Sequence, residues 1–412
     1  MIKYSVTKAD QTLNGEISLS PTKPLSYKSL TLRILKSSSL TQRITTETED
    51  ARIIDKSLLF EGIKKNRGTS AKAIRHIRSF ISYFGGDWVL SSSDIIKDKS
   101  FLKIAKILQK FGLQVSFEER SGRPPLKLIG KNLSGTVLKV DGSINSKIIE
   151  AKLLLSPSTP LETIIELKDQ ILQAGYVGMT LKALQYMGVN TEWKEEEILI
   201  EHEIFDGTVM VVESDWSMAS YWYQMLALSQ KGSIELKGLK AESFQCDTAV
   251  KDIFKRLGVE TLLLQDSIKI KRKGKPLKKF QQDFTNFPDL IPAVVVTCVC
   301  LDVPFRITGL ESLRAKEPDR VISLQTELSK VGAKIAVELE DKREVLVFDG
   351  KTKFKGLKSV EFETYNDHRM ALSLAPICLK GIIVSIVNPW VTNKSYPAYW
   401  DDLKKMGFEV NS

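Results

Sequence analysis

Residues 313–320, LRAKEPDR, place Arg314, Lys316 and Arg320 within one short run, with Glu317 and Asp319 among them. Cations so spaced can offer two contacts to an anion while one carboxylate, Glu317, is left for acid/base work. Taken alone, such a run reads as readily as a solvated loop or a helix start. It does not stand alone. Residues 364–370, TYNDHRM, put Asp367, His368 and Arg369 ahead of an apolar helix, where free backbone N–H groups also favour anions. Lys394, in NKSYP, is a further isolated cation. At the other end of the chain, Lys23 and Lys28 in PTKPLSYKS fall at a strand-to-helix junction. A lysine there can bind an anion or, if desolvated, carry a proton. Asp289 closes NFPD just before an apolar helix over 290–301, and its position suits an N-cap as well as a base. Together these residues predict acid/base chemistry on two anionic small molecules in a cleft lined with Lys and Arg.

The elements that must position them follow a repeat. An amphipathic helix ends in an apolar residue and then glycine at Gly112, Gly188, Gly258, Gly332 and Gly407, at intervals of 70 to 76 residues. Glycine in that place is the left-handed C-cap that turns a helix into the next strand. A looser copy at Gly62 makes six units over the chain. Between the glycines, alternating strands such as 135–140 and 233–236 exchange with helical patterns such as 219–227, so the class is α/β. No strand is followed by a glycine-rich phosphate loop, which disfavours ATP and NAD.

The 412 residues, 42% of them hydrophobic, suffice for two domains with real cores. The formal net charge of +10 raises the question of nucleic acid. The dense basic run 269–279, KIKRKGKPLKK, lacks interleaved aromatics, however, and reads as a solvated hairpin. We expect neither nucleic-acid nor membrane partners: the longest apolar stretch, 290–303, is interrupted by Pro292 and Asp302. The first residues lack the order of a signal peptide, which predicts a cytoplasmic location. Cys246, Cys298, Cys300 and Cys378 fit neither a disulfide framework nor a zinc site and are expected to be buried thiols.

Over 212–397 the chain carries VESDWSMASYW, SFQCD, NFPD, LRAKEPDR, TYNDHRMA and NKSYP in one order. By these motifs it resembles the 3-phosphoshikimate 1-carboxyvinyltransferase (enolpyruvyl-shikimate-phosphate synthase) family. The resemblance implies two domains, each of three βαβαββ units about a pseudo-threefold axis. Residues 1–20 with 212–412 would form the domain carrying the phosphoenolpyruvate side and the acid/base residues. Residues 21–211 would form the shikimate 3-phosphate side, with the active site in the cleft between the two. The implied reaction moves the carboxyvinyl group of phosphoenolpyruvate to the 5-hydroxyl of shikimate 3-phosphate and releases phosphate, without metal or organic cofactor, in a monomer. Carried onto this sequence, Asp289 takes the hydroxyl proton, and Lys23 with Glu317 handles protons at C3 and the leaving group. Lys23, Lys72, Arg320, Arg369 and Lys394 hold phosphoenolpyruvate. Lys28, Asn145, Ser146, Lys147, Tyr176, Asp289 and Lys316 meet shikimate 3-phosphate.

The first half departs from the family pattern. Pro24 stands where a phosphate-binding serine is usual, and Lys28 and Lys72 replace arginines. Ile95 takes the place of an arginine that grips phosphoenolpyruvate, with Lys97 and Lys99 nearby. The sugar-phosphate loop reads Asn145-Ser146-Lys147, and the turn before Tyr176 begins with Gln173. Two other readings therefore stand beside the transferase: a divergent relative, weakly active or inactive, that binds a similar phosphorylated anion, and a polyanion-binding module built on the basic run. The sister family acting on a UDP-amino sugar is disfavoured, because no cysteine precedes Cys246.

Overall fold

The computed structural model describes residues 2–22, 24–26, 28–29, 86–90, 114–117, 126–130, 137–140, 146–158, 163–167, 174–201, 211–316 and 318–412. The chain divides into two units, Met1–Thr22 with Glu213–Ser412, and Lys23–Val212.

In the first unit the same βαβαββ sequence occurs three times. Its first copy runs Thr12–Ser18, helix Trp216–Leu228, Lys231–Lys237, helix Val250–Lys255, and the hairpin Val259–Leu263 with Ser267–Arg272. The first two strands pair in parallel and the hairpin adds antiparallel. The second copy has the same order and pairing, with strands Phe280–Asp283, Phe305–Thr308, Ile335–Glu340 and Arg343–Phe348 and helices Ile291–Cys300 and Arg320–Ser329. The third copy consists of Ser359–Phe362, helix His368–Leu374, Ile383–Val387, helix Tyr399–Lys405 and Glu409–Asn411. It is completed by Lys3–Thr7 from the start of the chain, which lies between Ile383–Val387 and Glu409–Asn411.

The leading helix of each copy faces the others at the centre of this unit. That placement explains their composition. All residues of Trp216–Leu228 and of Ile291–Cys300 are buried, so neither helix keeps a polar stripe. Some of their polar groups find partners across the core: Gln224 Nε2 donates to the Ser373 carbonyl at 2.8 Å, and Trp222 Nε1 to the Tyr396 hydroxyl at 3.1 Å. Strands outside this core alternate; in KGSIELK, Ile234 and Leu236 point inward.

The expected glycine caps are present at Gly188, Gly258, Gly332 and Gly407, all left-handed with φ between 79° and 89°. At Gly332 a Cβ would also meet Lys353 Cγ at 2.6 Å. Gly62 and Gly112 lie outside the described residues. Two expectations need correction. The basic run does not form a solvated hairpin of its own: its first residues lie in Ser267–Arg272, the arm of a hairpin that pairs with strands on both sides, and the chain then leaves to start another sheet at Phe280. Cys246 is only half-buried, because it opens a short turn at the edge of the core, whereas Cys298, Cys300 and Cys378 are buried thiols.

In the second unit, described by itself, Val137–Val140, helix Ser146–Leu155, Thr163–Leu167, helix Ala174–Tyr186 and the hairpin Thr191–Lys194 with Glu197–Ile200 repeat the same order and pairing. A three-stranded sheet joins Gly86–Leu90, Leu126–Gly130 and Gln114–Phe117.

Candidate active site

The three central helices of the first unit begin with different solutions to their free N–H groups. Asp215 caps the first, its carboxylate accepting from Ser217 N at 2.8 Å and Met218 N at 3.3 Å. Asp367 caps the third, accepting from Arg369 N at 2.9 Å. Asp289 is not the cap of the middle helix. It sits in the turn Pro288–Leu290, and Leu290 is the residue at the N-cap of the middle helix, without a side-chain cap bond. The position as N-cap expected as one reading is thus not taken: the Asp289 carboxylate is turned to cations.

Those cations come from two helices. Arg369 Nη2 lies 2.7 Å from Asp289 Oδ2, and Arg369 Nη1 donates to the Asp289 carbonyl at 3.1 Å. Arg320, the first residue of its helix, donates from Nε to Asp367 Oδ2 at 2.7 Å. Its Nη1 stands 3.8 Å from Asp289 Oδ1 and, although buried, has no hydrogen-bond partner among the described residues. An unmet buried donor of this kind costs about 1–3 kcal/mol. Arg320 Nη1 thus stands beside the second buried guanidinium of Arg369, and the planar fork of arginine suits carboxylate or phosphate.

Protonation states follow from the crowding. Burial pulls the Asp367 carboxyl up, but Arg320, by charge and hydrogen bond, outweighs it and leaves the pKa lowered. His368 is pushed down to about 3, first by burial and then by Arg369, so its imidazole is neutral. Lys316 is also lowered, first by desolvation and then by Arg320 and Arg369, with Asp289 opposing. Its residue surface is exposed, so the desolvation is local crowding about the ammonium rather than enclosure. Burial raises Tyr221 to about 12 beside Arg369, and raises Asp215. Lys394 Nζ donates to the Asn366 carbonyl at 2.5 Å and to its Oδ1 at 2.8 Å. Tyr365 and Asn366 are both left-handed, with φ of 53° and 57°, which brings the Asn366 carbonyl and side chain to one lysine.

Of the residues expected from sequence, Asp289, Arg320 and Arg369 are therefore in contact, and Lys316 lies in their field. Lys394 is held at the turn that precedes Asp367. Arg314 is a correction: it is not an anion contact, because Glu344 takes its Nε and Nη2 at 2.8 and 2.9 Å and Asp319 its Nη1 at 2.8 Å. In the second unit Lys28 is buried and pairs with Glu150 Oε2 at 2.7 Å. Ser146 and Lys147 open the helix Ser146–Leu155, and Tyr176 lies on the first turn of Ala174–Tyr186, half-buried. Lys23, Lys72, Asn145 and Glu317 lie outside the described residues, as do 91–99. Sequence reasoning assigned no role to Ser217, Tyr221 or Asp247. The signal was available only as a polar residue set inside an otherwise apolar run.

Three copies of one βαβαββ unit whose leading helices begin at a shared set of arginines and carboxylates define the enolpyruvyl transferase fold. An EPSP synthase from Acinetobacter baumannii superposes with a TM-score of 0.76 at 20% identity over the full length of both chains. The enolpyruvyl transferase NikO from Streptomyces tendae does so at 0.68 and 15% identity, covering 99% of this chain and 98% of its own. Sequence narrows the class. Residues 28–403 match the profile of EPSP synthase (3-phosphoshikimate 1-carboxyvinyltransferase). The 3-phosphoshikimate 1-carboxyvinyltransferase of Bacteroides fragilis is 32% identical over 411 residues, 99% of each chain, and that of Photobacterium profundum is 28% identical over 342 residues, 82% of this chain and 78% of its own. The chain belongs to the EPSP synthase family, and it is an enzyme of the transferase class.

Proposed function

We propose that this enzyme transfers the carboxyvinyl group of phosphoenolpyruvate to the 5-hydroxyl of shikimate 3-phosphate, releasing phosphate, as a step of aromatic amino-acid biosynthesis in the cytoplasm, acting as a monomer. The hydroxyl adds to C2 while C3 gains a proton; removal of a C3 proton then expels phosphate from the tetrahedral intermediate. The supporting observation is the carboxylate of Asp289 set against Arg369, with the unmet Nη1 of buried Arg320 beside it. Asp289 is the acceptor of the hydroxyl proton. Arg320 and Arg369, with Lys394, bind the carboxylate and phosphate of phosphoenolpyruvate, where fixed cations stabilise the charge that develops on oxygen. Lys316 meets the sugar phosphate. By family resemblance Lys23 and Glu317 move the C3 and leaving-group protons, and Lys72 joins the phosphoenolpyruvate ligands. Lys28, Asn145, Ser146, Lys147 and Tyr176 bind shikimate 3-phosphate.

One observation favours a second reading. The Lys28 ammonium already has a buried partner in Glu150, so a phosphate there must compete with a carboxylate. A relative that binds the sugar phosphate but turns over slowly is the consequence if it fails to compete. Phosphate release with both substrates separates the two. The transferase reading expects release that requires both, falling about 100- to 10,000-fold in Asp289→Ala and in Glu317→Ala. No release, with shikimate 3-phosphate still binding in calorimetry, would sink it in favour of the binding relative.

A further inference from the structure

Asp247 is a buried carboxyl without a counter-ion. Only 4% of the residue is exposed, and among the described residues no Lys, Arg or His nitrogen lies within ion-pair distance of it. It is held instead by the hydroxyl of Ser217, which donates to Oδ2 from the first turn of the helix Trp216–Leu228, and by the Cys246 thiol 3.9 Å from Oδ1. An unpaired charge enclosed in this way is costly, and proteins keep one where its field is used. Its turn and the turn that carries Asp289 both pack against the helix Trp216–Leu228, and the charges that act on it are those of the site: Asp289 and Asp215, the cap of that helix, as like charges, and Arg369 from the third helix as an opposite one.

We propose that Asp247, held by Ser217, is a positioning residue whose charge sets how strongly Asp289 takes up a proton. The inference rests on Asp289 being the acceptor of the hydroxyl proton. Arg369 and Arg320 stabilise the Asp289 anion and so weaken it as a base. A second anion nearby opposes them and restores its proton affinity. Burial and the repulsion of Asp289 raise Asp247 itself to about 7, so its charge changes in the neutral range. When Asp247 is protonated, the repulsion is relieved and Asp289 is the poorer base.

The test is the pH profile of kcat for phosphate release in the full chain. The wild type is expected to rise through an ionisation near neutrality. Asp247→Asn keeps an acceptor for Ser217 but no charge. It should flatten that rise and lower the alkaline plateau by about three- to tenfold, leaving KM for either substrate little changed. Ser217→Ala removes the hydrogen bond that favours the anion, so the inflection should move to higher pH. A wild-type inflection and plateau in Asp247→Asn, or an unmoved inflection in Ser217→Ala, would overturn the proposal. If Asp247→Asn does not fold, as read by thermal melting, Ser217→Ala decides alone. Asp289→Asn separates the two readings. Turnover retained there removes Asp289 as the base; turnover lost there, beside an unchanged Asp247→Asn profile, removes only the role of Asp247.

Discussion

His368 carries the simplest electrostatic consequence of the site. A proton on its imidazole would add a third cation beside Arg369 and Arg320 in a place with little water, and Asp367 offsets only part of that cost. Its folded pKa of about 3 lies below the ordinary 6.5, so the neutral ring is the native form. A depressed folded value means that the contribution to stability is present above pH 6.5 and is lost as the pH falls toward 3. In NMR spectra of the imidazole carbons, His368 should show no titration from about pH 8 down to about pH 4. A midpoint near its ordinary value would mean that neither burial nor the two guanidiniums bear on the ring. The same reasoning identifies Asp289 as a carboxylate whose place depends on Arg369, 80 positions away. No local pattern in NFPD carries that information.

Arg320 can present an unmet Nη1 only if the helix that starts at it is rigid there. Asp319 Oδ1 accepts from Val321 N at 2.8 Å and Ile322 N at 3.2 Å, and its Oδ2 takes Arg314 Nη1. Farther along, Glu327, fully buried, accepts from the Tyr365 hydroxyl at 2.7 Å and from Glu363 N at 2.9 Å. One helix therefore meets the segment carrying Asp367 and Arg369 near both of its ends. Asp319→Ala should destabilise the protein by about 1–2 kcal/mol in urea unfolding, the usual cost of a lost cap, and Asp319→Asn by less. It should also raise KM for phosphoenolpyruvate through a frayed Arg320. An unchanged midpoint would show that Arg320–Asp367 alone fixes the helix start. The LRAKEPDR run, legible as a cluster of charge, thus divides in two: Arg314 and Asp319 are spent on holding the helix start, and Arg320 is turned to Asp367 and Asp289.

At the scale of the molecule, the first residues of the chain finish sheets built by its last ones. Lys3–Thr7 pairs on both sides, Thr12–Ser18 edges another sheet, and Val6, Leu13, Ile17 and Leu19 are at most 5% exposed. The two crossings between units are pinned by Thr22 N to the Glu213 carbonyl at 2.9 Å and the Ser214 hydroxyl to the Leu19 carbonyl at 2.6 Å. Burying those four side chains contributes roughly 6–12 kcal/mol, against a total stability of about 5–15 kcal/mol for a typical domain. A chain lacking residues 1–22 should show no cooperative melt of the first unit in circular dichroism, and a peptide of residues 1–22 should restore it. A normal melt without them would mean that the remaining strands close the sheets unaided. The amino-acid sequence by itself determined the α/β class, the repeat and the left-handed glycines, because capping and strand alternation are decided within a few residues. It also marked Asp289, Arg320, Arg369 and Lys394 as charged residues in short runs. Only the tertiary structure decided which charges are spent on one another, as Arg314 is on Glu344, that the basic run begins inside the strand Ser267–Arg272, and that Asp247 is buried with no ion-pair partner among the described residues. Those are matters of distance between segments far apart in the chain, and Coulomb and hydrogen-bond energies depend on distance, not on position in sequence.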